Sequence, residues 1–182
     1  MKTLLGLGGV WIIVFAALAM AAENQPHYDR DYDVAVQVME QTKDVRLRLL
    51  ESFGYIKVST QGSAKQMGLK DDELTAYLRQ HFKNHFKDVP FKNPKTESNP
   101  TVNLNRPETI GTLFVRVWTV GDDAPVAFYV SLTSGSLADY QAYEDAVLGY
   151  TSKDKIHQQV QKSIALLVER LANTFFKLRS GQ

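Results

Sequence analysis

Two histidines four positions apart are the side chains in this sequence best suited to chemistry. His81 and His85 lie in the segment ELTAYLRQHFKNHF, and at this spacing on a helix two imidazoles project to one side, as zinc-binding helices require. The glutamate that follows the first histidine in zinc proteases is absent, since Phe82 stands there, although His27 and His157 could supply a third ligand. Two interpretations stay open: a packed helix edge with hydrogen-bonded rings, or a metal-binding or pH-sensitive site.

A second pair matches a catalytic spacing but has a simpler explanation. Ser152 and Lys155 are spaced as Ser-x-x-Lys, the pattern of penicillin-recognising enzymes, in which the serine attacks and the lysine helps to remove its proton. The companion Ser-Asp-Asn and Lys-Thr-Gly patterns do not occur, and a serine before a helix is expected to cap it. Asp122 and Asp123 lack the ligand spacing of a calcium loop. We therefore predict no catalytic residues and no cofactor.

Tyrosines in the second half of the chain suggest a different kind of site. Tyr140, Tyr143 and Tyr150 are not fixed to one face of a predicted strand, and tyrosine is favoured in protein interfaces. We expect these three side chains to form an interaction surface. Trp118 and Phe128, which alternate with other residues along predicted strands, are expected in the core.

The first 22 residues predict export. They read MKTLLGLGGVWIIVFAALAMAA, with one lysine, an uncharged apolar run and small residues at the end, which is typical of a signal peptide. We expect cleavage after Ala21 or Ala22 and a periplasmic protein. The alternative is an uncleaved anchor, because the apolar run over residues 4–22 approaches the ~20 residues that span a bilayer.

Charge and cysteine content exclude several classes of protein. The 182 residues include 21 Lys+Arg and 20 Asp+Glu, and loss of Lys2 with the signal makes these numbers equal. A neutral chain is not expected to bind nucleic acid, which needs a basic surface. The absence of cysteine excludes disulfides, thiolate metal sites and the lipid anchor of lipoproteins. We expect another envelope protein as partner, and membrane contact only through an uncleaved N-terminal segment.

Hydrophobic patterns in the first half predict a strand followed by a helix. Residues 45–62 alternate or favour β structure and predict a first strand, which is either preceded by a short extension or broken at Gly54. Asp71 or Asp72 can cap a helix whose apolar arc includes Leu74 and Phe82. Residues 23–50 are expected to form a lead-in that is partly helical or extended, with a weak preference for helix over residues 32–42. Residues 91–109, rich in proline and asparagine, predict a long exposed loop.

The second half predicts a hairpin, a further strand and a long helix. Residues 111–120 and 126–133 flank a turn, and residues 140–150 indicate one more strand. One stripe of the last helix must be buried, and its members are Ile156, Val160, Ile164, Leu167, Leu171, Phe175 and Leu178. The fold class that follows is α+β: a two-layer sandwich over residues 51–182, with a mainly antiparallel sheet of about four strands, two helices on one face, and the order β-α-β-β-(β)-α.

The arrangement resembles a known group of exported proteins. The residues that carry the resemblance are the helix start Gly68-Leu-Lys-Asp-Asp-Glu-Leu74, the hairpin, and a final helix that ends in Phe and a basic residue. The order of elements over residues 52–179 is similar to that of small exported bacterial α+β domains of unknown function, the N-terminal domain of the TolB translocation protein, and periplasmic accessory lipoproteins. These positions are mostly apolar, so the resemblance implies a fold and no catalytic residue.

Together these patterns predict a non-enzymatic periplasmic binding or accessory domain of the bacterial cell envelope. We expect it to work through a sheet edge or through the loop at residues 91–109, because the sequence shows no set of nucleophile, base and orienting group. The alternative is a periplasmic metal-binding protein that uses His81 and His85.

Overall fold

The structure, a computed structural model, describes residues 37–38, 42–43, 45–91, 106–122 and 125–181, with the backbone alone for residues 37–38 and 42–43. The predictions for the export signal, His27, Asp123 and residues 92–105 lie outside this part of the chain.

Strands and helices follow the order that the sequence predicts. Five elements make up the first part: β1 (Gln37–Val38), β2 (Thr42–Lys43), β3 (Ser52–Gly62), α1 (Asp71–His85) and β4 (Ile110–Val120). The remainder consists of β5 (Val126–Ser136), β6 (Tyr143–Thr151) and α2 (Ile156–Ser180). Short 3-10 helices, Val45–Leu49 and Pro107–Thr109, precede β3 and β4. The predicted α+β sandwich is confirmed.

One sheet contains all the strands of the described residues, and its long strands lie in the order β3-β4-β5-β6. Strands β4, β5 and β6 form an antiparallel meander, whereas β3 pairs with β4 in parallel because α1 returns the chain to the starting end of the sheet. The short strands β1 and β2 both pair with the outer side of β6. The sheet is therefore mixed.

Both helices cover the same face of the sheet, as predicted. Alternate residues of each strand point to this face and are buried, for example Ile56 and Val58 on β3 and Val115 on β4. A cluster of phenylalanines packs the C-terminal parts of both helices against the start of β3. The ring of Phe53 lies 4.8 Å from that of Phe82 in α1 and 6.4 Å from that of Phe175 in α2. The opposite face carries no helix among the described residues. In the described part of the chain, no helix is both long enough and apolar enough to cross a bilayer.

The chain before β3 differs from the prediction. Residues 45–49 alternate apolar and charged side chains like a strand, yet they form a 3-10 helix in which Leu47 alone is buried. Arg46 pairs with Asp139 from the turn before β6, so the arginine is held at the surface while Leu47 enters the core. Residues 37–38, for which a helix was weakly preferred, are extended. The register of β3 is irregular between Phe53 and Tyr55, as the glycine between them indicates.

Candidate functional site

The helix-free face of the sheet is the candidate functional site. Three large hydrophobic side chains on this face are exposed: Trp118 at 45% and Val120 at 48% on β4, and Tyr55 at 43% on β3. On the same two strands, the residues with the opposite alternation are buried under the helices. Trp118 and Val120 are adjacent on this face, whereas Tyr55 is level with Thr112, near the other end of β4. Adjacent exposed apolar side chains are informative, because single exposed hydrophobic residues are common and clusters are not.

Strand register arranges the helix-free face in rows that cross the sheet. In the row through Trp118, exposure decreases from β4 towards β6, since Tyr129 on β5 is half-buried and Leu148 on β6 is buried. The rows that the register defines are Lys57–Phe114–Thr133–Glu144, Ser59–Arg116–Ser131–Ala146, and Gln61–Trp118–Tyr129–Leu148. The exposed part of the face therefore lies on β3 and β4.

Charges on this face are separated across the sheet. Lys57 and Arg116 are exposed on β3 and β4, whereas Glu144 is half-buried on β6. The Arg116 guanidinium lies 5.6 Å from the centre of the Phe114 ring, a cation–π geometry that holds the arginine flat against the sheet. Burial raises the pKa of Tyr129, so its hydroxyl stays neutral at physiological pH. The face offers aromatic rings and cations on one side and a carboxylate on the other.

Helix α1 closes the outer edge of β3. The backbone N–H of Val58 donates to Thr75 Oγ1 at 3.0 Å, and the N–H of Thr60 donates to Asp71 Oδ1 at 2.9 Å. Both acceptors are side chains of α1, one helical turn apart. They take the place of the carbonyl groups that a further strand would present. Asp71 thus bonds to the sheet and does not cap its own helix, which has no side-chain cap.

Two further backbone groups of this edge also have partners. Arg79 Nη2 donates to the carbonyl of Ile56 at 3.2 Å, and the N–H of Phe53 donates to the carbonyl of Pro90 at 2.9 Å. On the other side of the sheet, β1 and β2 pair with β6. Helix α1 therefore covers part of the outer edge of β3, and β1 and β2 are the outermost strands beside β6. Docking through a sheet edge, which the sequence suggested, stays a prediction.

The two histidines predicted as metal ligands share α1 but differ in environment. The His81 ring is half-buried and lies 4.4 Å from the Tyr77 ring, whereas His85 is exposed. Burial, and secondarily the charge of His85, lower the pKa of His81. His157, a suggested third ligand, lies instead 3.9 Å from Glu73 (Nε2 to Oε2). Across the described residues, no group of three or more His, Asp or Glu side chains is placed to hold a metal ion.

The three tyrosines expected to form an interaction surface do not share one. Tyr143 is fully buried on the helix side, and its hydroxyl donates to Asp145 Oδ2 at 3.3 Å. Tyr140 is 66% exposed in the turn before β6, and Tyr150 is half-buried on the helix-free side. Trp118, expected in the core, is the exposed aromatic residue of β4. Arg116 shares the alternation of Trp118, whereas Leu113, Val115 and Val117 form the other set, so the charged residue was a signal that the Trp118 set is the one the helices leave uncovered.

Ser152 and Lys155 have structural roles. The Ser152 carbonyl accepts a hydrogen bond from the N–H of Lys155 at 3.1 Å, which forms the turn before α2. The Ser152 hydroxyl bonds to the carboxylate of Asp154 and lowers its pKa. No side chain caps the helix, so the predicted capping by this serine is wrong. The Ser152 hydroxyl forms its hydrogen bond within the turn before α2 instead.

Comparison with known proteins supports the fold alone. No protein-family model matches the sequence, and no curated protein matches it. Among solved structures, the PelC dodecamer from Paraburkholderia phytofirmans has a similar fold, with a TM-score of 0.50 and 10% identity over 75% of this chain and 97% of that chain. A methionine variant of the same PelC dodecamer has 8% identity over 75% and 96%, and its TM-score of 0.46 is too low to carry an argument. The likeness is to a small bacterial α+β domain.

Proposed function

We propose that this chain is a non-enzymatic accessory domain of the bacterial cell envelope, exported to the periplasm, that binds other protein subunits through the helix-free face of its sheet. The observation that carries the proposal is the exposure of Trp118 and Val120 side by side on that face. Tryptophan is among the residues that contribute most to binding energy when an interface buries them. The helices cover the other face of the sheet, so the part of this face on β3 and β4 is the exposed surface that supports the proposal.

Further copies of the chain are the first partners to consider. The PelC protein of similar fold was solved as a dodecamer, which supports the idea that a domain of this shape acts as a subunit. The near-zero charge balance agrees with binding to protein and not to nucleic acid. The export signal predicted from residues 1–22 supports the periplasm as the location.

The decisive experiment compares two exposed aromatic residues on different surfaces. Trp118→Ser removes the ring from the helix-free face, and Tyr140→Ser removes a more exposed ring from a turn. We expect Trp118→Ser to weaken capture of envelope partners and self-association by roughly 30-fold, as for a residue worth ~2 kcal/mol in an interface. Tyr140→Ser should leave both unchanged. Wild-type protein that stays monomeric at high concentration and captures no envelope protein would refute the proposal.

A metal-binding function is the second candidate, and the observation that favours it is the pair of imidazoles one turn apart on α1. Its test is native mass spectrometry with zinc or copper on wild type and on the His81→Ala, His85→Ala double variant. A metal-dependent mass that the double variant loses would support it. Equal masses with and without metal would refute it.

A further inference from the structure

We infer that this domain docks on the surface of an anionic lipid bilayer through the end of the molecule at which β3 begins. This surface, called the base, consists of residues 45–51, 83–88, 106–109 and 137–142, together with the last turn of α2. The inference goes beyond the proposed function, because the base is a different surface from the helix-free face. It adds a second membrane contact to the N-terminal segment considered above.

The 3-10 helix Val45–Leu49 crosses the base beneath the sheet. At one side, Arg46 forms an ion pair with Asp139 in the turn before β6. At the other side, the N–H of Glu51 donates to the carbonyl of Thr109, directly before β4, at 2.8 Å. The segment between these two contacts passes under the ends of the strands. The sides of it that do not face the core therefore face out of the domain.

Each outward side of this 3-10 helix combines an aliphatic side chain with an arginine. Residues three apart are eclipsed in a 3-10 helix, so Leu47 and Leu50 share one side, which is buried in the core. The pairs on the two outward sides are Val45 with Arg48 and Arg46 with Leu49. Val45 is 64% exposed and Leu49 is 55% exposed. Such pairs suit a bilayer interface, where aliphatic groups enter the acyl region and arginine reaches the headgroups.

The surfaces beside this 3-10 helix have the same character. Arg179 Nη1, in the last turn of α2, donates to the carbonyl of Leu50 at 2.9 Å, which places that turn next to the 3-10 helix. Phe176 precedes Arg179 by about one helical turn and is 39% exposed. Tyr140, next to the ion pair of Asp139, is 66% exposed. Four large hydrophobic side chains of the described residues are thus exposed at the base: Val45, Leu49, Tyr140 and Phe176.

Charge is the second observation in favour of a lipid surface. The cations of the base outnumber its acids: Arg46, Arg48, Lys83, Lys87, Arg106, Lys177 and Arg179 against Glu51, Asp88, Glu108 and Asp139. The dipoles of α1 and α2 favour cations at the C-terminal ends of both helices, which explains Lys83 and Lys177. They do not explain Arg48, or the apolar side chains exposed among the cations. A surface that combines both features is complementary to anionic headgroups over an apolar layer.

Docking through the base sets the orientation of the domain. The long strands begin or end at the base, so their axes rise from the bilayer. Trp118 stands ~27 Å from the start of β4, at ~3.4 Å per residue along the strand. The exposed part of the helix-free face around Trp118 therefore stays clear of the lipid and open to other subunits. The acidic first turn of α1, residues 71–73, lies at the far end of the molecule.

Co-sedimentation of the full chain, purified in its processed form, with lipid vesicles at low salt tests the inference. We expect binding to vesicles of phosphatidylglycerol and phosphatidylethanolamine, and little binding to phosphatidylcholine alone. A Lys or Arg near an anionic surface strengthens binding about fivefold, so Arg48→Glu, which also adds a negative charge, should weaken binding roughly 25-fold. Leu49→Ser should weaken it about fivefold, because less apolar surface is buried.

Lys162→Glu is the matched control for the charge reversal. Lys162 is exposed on α2, ~25 Å along the helix from Arg179, which is beyond the screening length at physiological salt. We expect this variant to bind anionic vesicles within about twofold of wild type. Wild type that does not bind them, or that binds them as tightly as Arg48→Glu and Leu49→Ser do, overturns the inference.

A fluorescence measurement reports which surface meets the lipid and does not depend on the charge reversal. The chain has no cysteine, so Tyr140→Cys and Lys162→Cys can each carry an environment-sensitive fluorophore. We expect anionic vesicles to shift the emission of the label at residue 140 to the blue and to leave the label at residue 162 unchanged. The same comparison serves a chain that keeps its N-terminal segment, reconstituted into vesicles of either composition. Equal responses at the two positions overturn the inference.

Two further outcomes separate this inference from neighbouring ones. A chain that ignores vesicles but loses capture of an envelope protein through Arg48→Glu would assign the base to an acidic protein and overturn the lipid contact. Vesicle binding through the base leaves the helix-free face untested, since Trp118→Ser tests that face. The lipid contact and the proposed function can therefore fail separately.

Discussion

Replacing Thr75 by valine tests whether α1 takes the place of a missing strand. Thr75 is buried, and its hydroxyl accepts the hydrogen bond from the N–H of Val58 at 3.0 Å. Valine has nearly the same shape and a similar helix propensity, so the change leaves the packing and removes the acceptor. A buried N–H without a partner destabilises by ~1–3 kcal/mol. With a urea m-value of ~2 kcal/mol/M, the unfolding midpoint should fall by about 0.5–1.5 M.

The assay is equilibrium urea unfolding followed by far-UV circular dichroism, with Thr75→Ser as the matched control. Serine keeps the hydroxyl and loses only a methyl group, so we expect it to lose about 1 kcal/mol or less. A valine variant as stable as wild type, combined with a serine variant that is less stable, would refute the reasoning. That result would mean that the methyl group of Thr75 contributes to the free energy of unfolding and that its hydrogen bond to Val58 does not.

Three further predictions concern other parts of the chain. Gly62→Ala should lower the thermal midpoint, because a Cβ there would lie 2.3 Å from a backbone oxygen of β4 and the φ angle is +66°; an unchanged midpoint would contradict this. Burial and the charge of His85 lower the pKa of His81 in the folded state. The neutral imidazole therefore contributes to the stability of the fold above the unfolded-state pKa of ~6.5. That stability is lost as the pH falls through the lowered pKa of the folded state. His81→Gln should therefore flatten the dependence of unfolding free energy on pH between about 7 and 5, and a slope equal to that of wild type in urea titrations at each pH would argue against it. Sequencing the N terminus of the purified protein should begin at residue 22 or 23, and a start at residue 1 would establish the uncleaved anchor instead.

Strong periodicity made the helices and the hairpin predictable. In α1, Leu74, Leu78 and Phe82 recur at helical spacing and are all buried. A helix that packs on a sheet must bury one stripe, and the sequence states which residues form it. The long α2 follows the same rule. The layer architecture could be predicted because these stripes leave few alternatives.

The candidate site was harder to predict, because it depends on pairing between distant segments. Trp118 and Val117 are neighbours on opposite faces of β4, and the helices cover the Val117 face. Arg116, on the Trp118 face, was the one local signal of this, and the large aromatic residues beside it pointed to the core instead. The role of Asp71 depends on its distance from Thr60, to which it bonds across the edge of β3. A sequence pattern reports local preferences only. It predicted that Asp71 or Asp72 caps the helix, because capping needs no partner from a distant segment.

The parallel pairing of β3 with β4 has a consequence for how the domain folds. These two strands meet only after the chain has passed through α1 and the segment that follows it, whereas β4, β5 and β6 are joined by short turns. Bringing β3 and β4 together closes a long loop of chain, and this costs more conformational entropy than closing the short turns, before the new contacts compensate for it. We therefore expect the meander and α2 to acquire structure first, with β3 and α1 docking last as one cooperative unit. Until they dock, β4 is an unprotected edge strand, so the folding chain passes through a stage in which it is prone to aggregate.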